Sequence, residues 1–351
     1  MMGTIKALLV RFCCVVFSSL FVVTASTAQD ERLFTLGTGN PEGTALTNVT
    51  VQVFQPSLRK HSNGNLNVKV FFNGSQCSEQ ACGEHVRLGQ LDIGQVSSGN
   101  MGAFGSTFNM VVLPYLFKDR PSASRVLNDW LVKEMRERVE AEMGFYLLAL
   151  TPAGGFRHLD NSAREIRVPA DLKGIKIRVT KSPTEFSLIK SWGATAVPYD
   201  WPQLYHGLQT GVVEGMYIPD PYFYNMKFHE VVGHITHTGG AIVVYSHIMD
   251  AKRFRALPEA SQKAINMAAD DMQRESFAID AAWIKKKESE VPPGRVAVYK
   301  PTLDEMKLWY KGATDAWLAV KGSFDTALAR RILEDQGQTE LIEDLKEAGA
   351  L

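Results

Sequence analysis

The stretch from Leu172 to Pro219, which begins LKGIKIRV and ends GVVEGMYIP, constrains this chain more than any other. Ile175 to Val179 reads as a short strand, and Arg178 is the polar residue that does not fit its apolar pattern. Ser182 and Pro183 then open a helix with a side-chain cap followed by proline at the first helical position. Phe186, Ile189 and Trp192 give that helix an apolar face, and Gly193 stops it. A second strand, Ala194 to Tyr199, leads to Asp200, with Gln203 as its capping-box partner. The helix that follows carries Leu204 and Leu208 on one face and ends at Gly211, and a third strand runs from Val213 to Ile218. A β-α-β-α-β run of this kind is half of an α/β domain whose strand ends face one crevice.

Arg178 falls at the end of the first of these strands, where such folds place ligands. A guanidinium there offers a planar fork to a carboxylate; an arginine on a solvated strand end is the other reading. The whole stretch resembles the solute receptors of tripartite ATP-independent periplasmic (TRAP) transporters, which include C4-dicarboxylate and sialic acid receptors. The resemblance is carried by Asp171-Leu172-Lys173-Gly174, Trp192-Gly193-Ala194, Leu204-Tyr205, Leu208-Gln209-Thr210-Gly211 and Glu214-Gly215. It extends more weakly from about Leu33 to about Ile284. It implies an α/β, two-lobed periplasmic binding protein of type II-like architecture, with a long helix spanning both lobes. In that family the arginine matching Arg178 holds the substrate carboxylate, so the resemblance implies that role here.

The chain's 351 residues are 45% hydrophobic and 22% charged, with Lys plus Arg balancing Asp plus Glu at 38 each. No basic field argues for nucleic acid or an anionic membrane as partner. Residues 1–28 read as a signal peptide. Lys6 and Arg11 supply its positive region, Phe12 to Val23 its apolar core, and Ser26 and Ala28 the small-residue cleavage pattern. Cleavage near Ala28 implies export to the periplasm; an uncleaved anchor is the alternative. The expected organisation is a first lobe over 29–150 with a returning segment near 241–258, a second lobe over 151–240, a long interlobe helix over 259–290, and a C-terminal strand with helices over 291–351.

After removal of Cys13 and Cys14 only Cys77 and Cys82 remain. An oxidising compartment favours a disulfide between them, bracing a helix expected over Glu84–Leu91, with free thiols as the alternative. Metal binding by this pair is disfavoured, since His85 is the only further ligand nearby. His229 and His234 are five apart, whereas two imidazoles on one helix face need a spacing of four. They and His237 read as surface or packing residues, and neither a metal nor another cofactor is expected.

The first strand, Leu33 to Thr38, feeds the turn GNPEGT and a helix, a geometry suited to a polar or anionic ligand. The resemblance implies a ligand contact from Asn40 in that turn, and a second arginine contact from Arg157 after Gly154-Gly155. Asp92 to Val96 reads as a strand ending at Ser97, where the sialic acid branch has a glutamate; a hydroxyl there implies a smaller or less hydroxylated ligand. Many family members have an asparagine after the third strand, where this chain has Ile218, a side chain with no hydrogen-bonding capacity. Trp201, Tyr217 and Tyr222 are the aromatic candidates for the pocket, with packing in the core as the other reading for each. Together these features favour a monocarboxylate with an apolar or aromatic body.

No nucleophile elbow, Walker motif or paired-cysteine metal framework occurs. The expected function is therefore not enzymatic: a receptor that captures an organic acid and delivers it to a membrane permease. Two alternatives are a ligand-binding input for a membrane sensor and a secreted hydrolase or lyase on a similar frame.

Overall fold

The computed structural model describes residues 31–290 and 294–351. The expected signal segment and its cleavage point lie outside the described residues. In chain order the strands are β1 (Arg32–Gly37), β2 (Leu66–Phe71), β3 (Ile93–Ser97), β4 (Phe145–Phe156), β5 (His158–Asn161), β6 (Lys176–Val179), β7 (Thr195–Pro198), β8 (Gly215–Ile218), β9 (His234–Thr236), β10 (Ile242–Asp250) and β11 (Ala297–Tyr299). They form two sheets, ordered β2-β1-β3-β10-β4 and β11-β9-β5-β8-β6-β7. The fold is mixed α/β.

In the first sheet β1 runs parallel to β2 and β3, while β10 is antiparallel to both β3 and β4. In the second, β6 is parallel to β7 and β8, and β5 is antiparallel to β8 and β9. Strand β4 continues past its expected end at Leu150 to Phe156. Gly154 and Gly155 bend it with φ of +83° and +95°, a conformation costly to side chains other than glycine. A Cβ on Gly154 would also lie 2.8 Å from the Tyr222 ring. This bend hands the chain from the first sheet to β5 of the second.

The helix expected near 259–290 is present as Glu259–Ser289. Ile265, Ala268 and Met272 in its first half pack beneath the first sheet. In its second half Trp283 reaches Tyr222, with ring centroids 4.9 Å apart. Between them, Asp280 accepts from Arg120 (2.6 Å) and from the Gly154 amide (2.6 Å), pinning the helix at the bend. A second brace is the helix Leu303–Ala319: the Trp192 indole donates to Trp309 O (3.1 Å) and the Trp317 indole to Pro114 O (2.8 Å). Among the described residues no helix is long and apolar enough to cross a membrane.

Some local expectations are corrected. Ser182 does cap the helix Pro183–Ser191 through the Glu185 amide, but Phe186 is 40% exposed and Leu188 takes its place in the core. Asp200 makes no capping box with Gln203; a short 3-10 turn, Trp201–Gln203, precedes the helix Leu204–Gln209, and the Asp200 carboxylate faces Lys181 at 3.8 Å. His229 and His234 share no helix, in line with their spacing, since His234 begins β9. Cys77 and Cys82 form a disulfide with Cα atoms 4.9 Å apart, and the helix it braces starts at Gln80 rather than Glu84.

Candidate functional site

A narrow cleft, with about 30 Å³ of room for a water-sized sphere, lies between the two sheets. From the first sheet's side it is lined by Asn40 after β1, Ser97 at the end of β3, and Val243 and Tyr245 on β10. From the second it is lined by Arg157 before β5, Arg178 on β6, Thr180, Trp201, and the run Ile218, Pro219 and Tyr222 after β8. Glu79 completes the wall. The strand ends thus converge on one crevice as the β-α-β-α-β pattern requires.

The two arginines differ in their partners. Arg157 Nη2 lies 3.1 Å from Glu185 Oε1, and its Nη1 donates to Tyr217 O at 2.7 Å. Glu185 Oε2 in turn accepts from the Thr180 amide at 3.0 Å, so this pair is buried and balanced in charge, although Glu185 Oε1 accepts no hydrogen bond. Arg178 is 3% exposed and donates through Nε to Tyr199 O at 2.8 Å. Among the described residues neither of its terminal nitrogens has a hydrogen-bond or ion-pair partner. Burial holds its guanidinium below the usual arginine value; Arg157 adds to that effect, and Glu185 and Glu79 oppose it. An arginine stays charged even so, which leaves a desolvated cationic fork 5.7 Å from the Trp201 ring centre.

Glu79 is the feature that the sequence reading missed. It stands between the bonded cysteines, directly before the helix Gln80–Leu88, with φ of +49°. For a non-glycine residue that backbone is strained, and such strain persists where surrounding structure holds it. Its Oε2 accepts from Ser97 Oγ (2.9 Å) and Asn100 Nδ2 (2.7 Å), and its Oε1 from Tyr245 Oη (2.9 Å). Every polar neighbour donates to it, the pattern an ionised carboxylate needs. The available signal is a lone acidic residue inside the short Cys77–Cys82 loop, which the sequence presents only as a brace.

Other cleft atoms have unused capacity. Asn40 Oδ1, Thr180 Oγ1, Trp201 Nε1 and Tyr222 Oη are buried without a hydrogen-bond partner. Buried polar groups normally have partners, so these four mark positions where a bound molecule can supply them.

Tyr217 does not line the cleft. Successive side chains on a strand face opposite ways, so Met216 and Ile218 share one face of β8 and Tyr217 the other. Its ring is fully buried against Trp192, with centroids 5.7 Å apart. It serves the site only through Arg157, which its carbonyl holds and whose guanidinium lies 5.7 Å from its ring centre. Ile218, expected to leave one ligand end without a polar partner, does lie on the cleft wall.

A separate polar group joins His158, Asp220 and His237, whose possible ligand atoms lie within 4.8 Å of one another. Here His237 Nε2 meets Asp220 Oδ2 at 2.8 Å, and His158 Nδ1 accepts from the Gly239 amide at 3.1 Å. The His158 lone pair at Nδ1 is therefore taken, which places the proton of its neutral form on Nε2. The group reads as a hydrogen-bonded cluster rather than an open ligand set.

Residues 36–321 match the family described as bacterial extracellular solute-binding protein, family 7. A solute-binding protein of Verminephrobacter eiseniae is 31% identical over 63% of this chain and 65% of its own length. The 2,3-diketo-L-gulonate-binding periplasmic protein YiaO of Escherichia coli is 28% identical over 66% of this chain and 71% of its own. The chain thus spans about two thirds of the length of these curated relatives. Among solved structures, the sugar acid binding protein of Advenella mimigardefordensis, in complex with galactonate, superposes with a TM-score of 0.82. That alignment covers 88% of this chain and 99% of the other at 23% identity, and shows the shared fold.

Proposed function

The chain belongs to family 7 of the bacterial extracellular solute-binding proteins, and from that premise we propose that it is the periplasmic receptor of a TRAP-type secondary transporter. In this reading it captures a small organic acid between its two sheets and delivers it to a membrane permease, without chemical turnover. The observation that carries the reading is Arg178: a buried guanidinium whose terminal nitrogens have no protein partner among the described residues. A carboxylate is the group that fits such a fork. Each hydrogen bond to a charged group contributes about 1.5–3 kcal/mol, enough for two of them to dominate the affinity of a small ligand.

Arg157 stands behind Arg178 as a second positive centre whose charge Glu185 already offsets. Asn40 and Ser97 supply polar contacts from the first sheet's side, and Trp201 and Tyr222 pack on the ligand body. Ile218, Pro219 and Val243 favour a monocarboxylate with a compact apolar body. The first lobe (29–150 with 241–258) and the second (151–240) would close on it by hinge motion at the Gly154-Gly155 bend. The relatives fit this reading in kind, since the E. coli protein is named for a sugar-acid derivative and the Advenella structure holds galactonate.

The test is a thermal-shift screen of the mature protein against monocarboxylates, 2-oxo acids, sugar acids and dicarboxylates. A ligand that binds only the folded state raises the melting temperature by mass action. A shift with one class of acid, lost in Arg178→Ala, supports the receptor reading. A ligand that shifts both proteins equally contradicts it.

A further inference from the structure

The cleft holds two opposite charges that do not touch. Glu79 and Arg178 both line it and are close enough to influence each other electrostatically, yet no contact within 4.0 Å joins them. The other two charges at the site, Arg157 and Glu185, cancel as a buried pair. Glu79 is 4% exposed and is held by three neutral side-chain donors, from Ser97, Asn100 and Tyr245. Among the described residues it has no ion-pair partner.

From this arrangement we propose that the ligand is a compact zwitterion, with its carboxylate on Arg178 and a cationic nitrogen facing Glu79. The inference rests on the receptor reading above and narrows it to a ligand class. Its basis is charge balance in a desolvated space. The four charged side chains sum to zero, so a zwitterion leaves the closed site neutral. A simple carboxylate or hydroxy acid leaves a net negative charge and an unpaired buried carboxylate, which is costly in a low-dielectric interior. A dicarboxylate adds repulsion, because its second anion must point toward Glu79.

The walls around Glu79 suit a cation as well. Tyr222 and Tyr245 present aromatic surface to the same cleft, and the faces of such rings attract ammonium groups, methylated ones included, whereas the Trp201 ring already lies against Arg178. Trp201 and Tyr222 meet edge to face with centroids 5.6 Å apart, so they form two adjoining walls. Glu79 is fixed rather than mobile, by the disulfide on either side of it and by the three side-chain donors and the Ser97 amide that reach its carboxylate.

Titration calorimetry on untagged mature protein, stripped of carried-over ligand by unfolding and refolding, tests this with matched pairs. The pairs are alanine against lactate, serine against glycerate, and glycine betaine against 3,3-dimethylbutyrate, which replaces the cationic nitrogen by carbon. The expected result is that in at least one pair the zwitterion binds tenfold or more tightly than its partner. Glu79→Gln should abolish that preference, while Arg178→Lys should weaken both members. If the carbon or hydroxy partner binds as well or better and Arg178→Lys still weakens it, the zwitterion inference fails and the receptor reading survives. If no zwitterion of the set binds, the inference also fails. The receptor reading is then decided separately, by whether any acid of the broader screen depends on Arg178.

Discussion

Glu185 Oε1 sits 3.1 Å from Arg157 Nη2, and this pairing separates the roles of the two arginines in the cleft. Arg157 is neutralised and anchored to Tyr217 O, whereas Arg178 keeps its fork free. The sequence and its resemblance present Arg178 as the residue that holds the carboxylate and Arg157 as a second contact. The structure makes the first a part of the frame and leaves the second as the group with capacity to spare.

Arg157→Ala therefore has a cost unrelated to ligand. It leaves Glu185 buried and unpaired, a change that removes about 3–5 kcal/mol of stability. Urea unfolding without ligand should show a lower midpoint for Arg157→Ala and partial recovery in the double variant Arg157→Ala/Glu185→Ala. An unchanged midpoint in the single variant would mean that the pair does not hold the frame.

Gly99 tests whether the two sides of the cleft must come this close. A Cβ there would overlap Thr180 Oγ1 and lie 2.9 Å from Glu185 Oε1, both on the opposite side. Gly99→Ala should weaken ligand binding tenfold or more, about 1.4 kcal/mol, as the closed arrangement becomes overpacked. Calorimetry reads the affinity, and full retention of wild-type affinity would show that the contact yields without cost.

Tyr217→Phe should leave affinity unchanged, because it keeps both the carbonyl that holds Arg157 and the ring that the Arg157 guanidinium lies over. Its hydroxyl is buried without a partner, so removing it should not lower stability either. A drop in affinity measured with the same ligand would return Tyr217 to the cleft.

His247 makes stability depend on pH. It lies on β10, between β3 and β4 of the first sheet, within 2.8 Å of Thr151 Oγ1, and burial lowers its pKa to about 3. The unfolded chain, with a histidine value of about 6.5, binds the proton more readily. Stability is thus complete above pH 6.5 and declines as pH falls toward 3. By pH 4 the loss from this residue is on the order of 3 kcal/mol. His247→Gln should flatten that part of the stability profile, and an identical slope in both proteins would rule His247 out as its source.

Much of the second sheet was legible because its punctuation is local. Ser182, Gly193 and Gly211 mark helix ends whatever surrounds them, and the strands between them are short apolar runs. The structure brings Arg178, Arg157, Asn40, Ser97, Trp201 and Tyr222 to one cleft, six positions that the sequence and its resemblance had singled out. Tyr217 was misplaced although the strand period contains the answer: residues 216 and 218 face one way and 217 the other. Strands β5 and β9 escaped notice because three or four residues rich in polar side chains carry no period. Glu79 was missed because its meaning is not local. Only the fold brings Ser97, Asn100 and Tyr245 around it, from positions 18, 21 and 166 residues away.

The most direct test of the central claim is the affinity of Arg178 variants for a ligand identified in the acid screen, set beside their ligand-free stability. Arg178 is buried without an anionic contact, so replacing it removes a desolvated charge rather than a structural pair. Arg178→Ala is predicted to bind at least 100-fold more weakly, about 2.8 kcal/mol, while melting no lower than wild type without ligand. Arg178→Lys keeps the charge and loses the fork, and should fall between the two. Wild-type affinity in Arg178→Ala would contradict the assignment of the carboxylate to this residue.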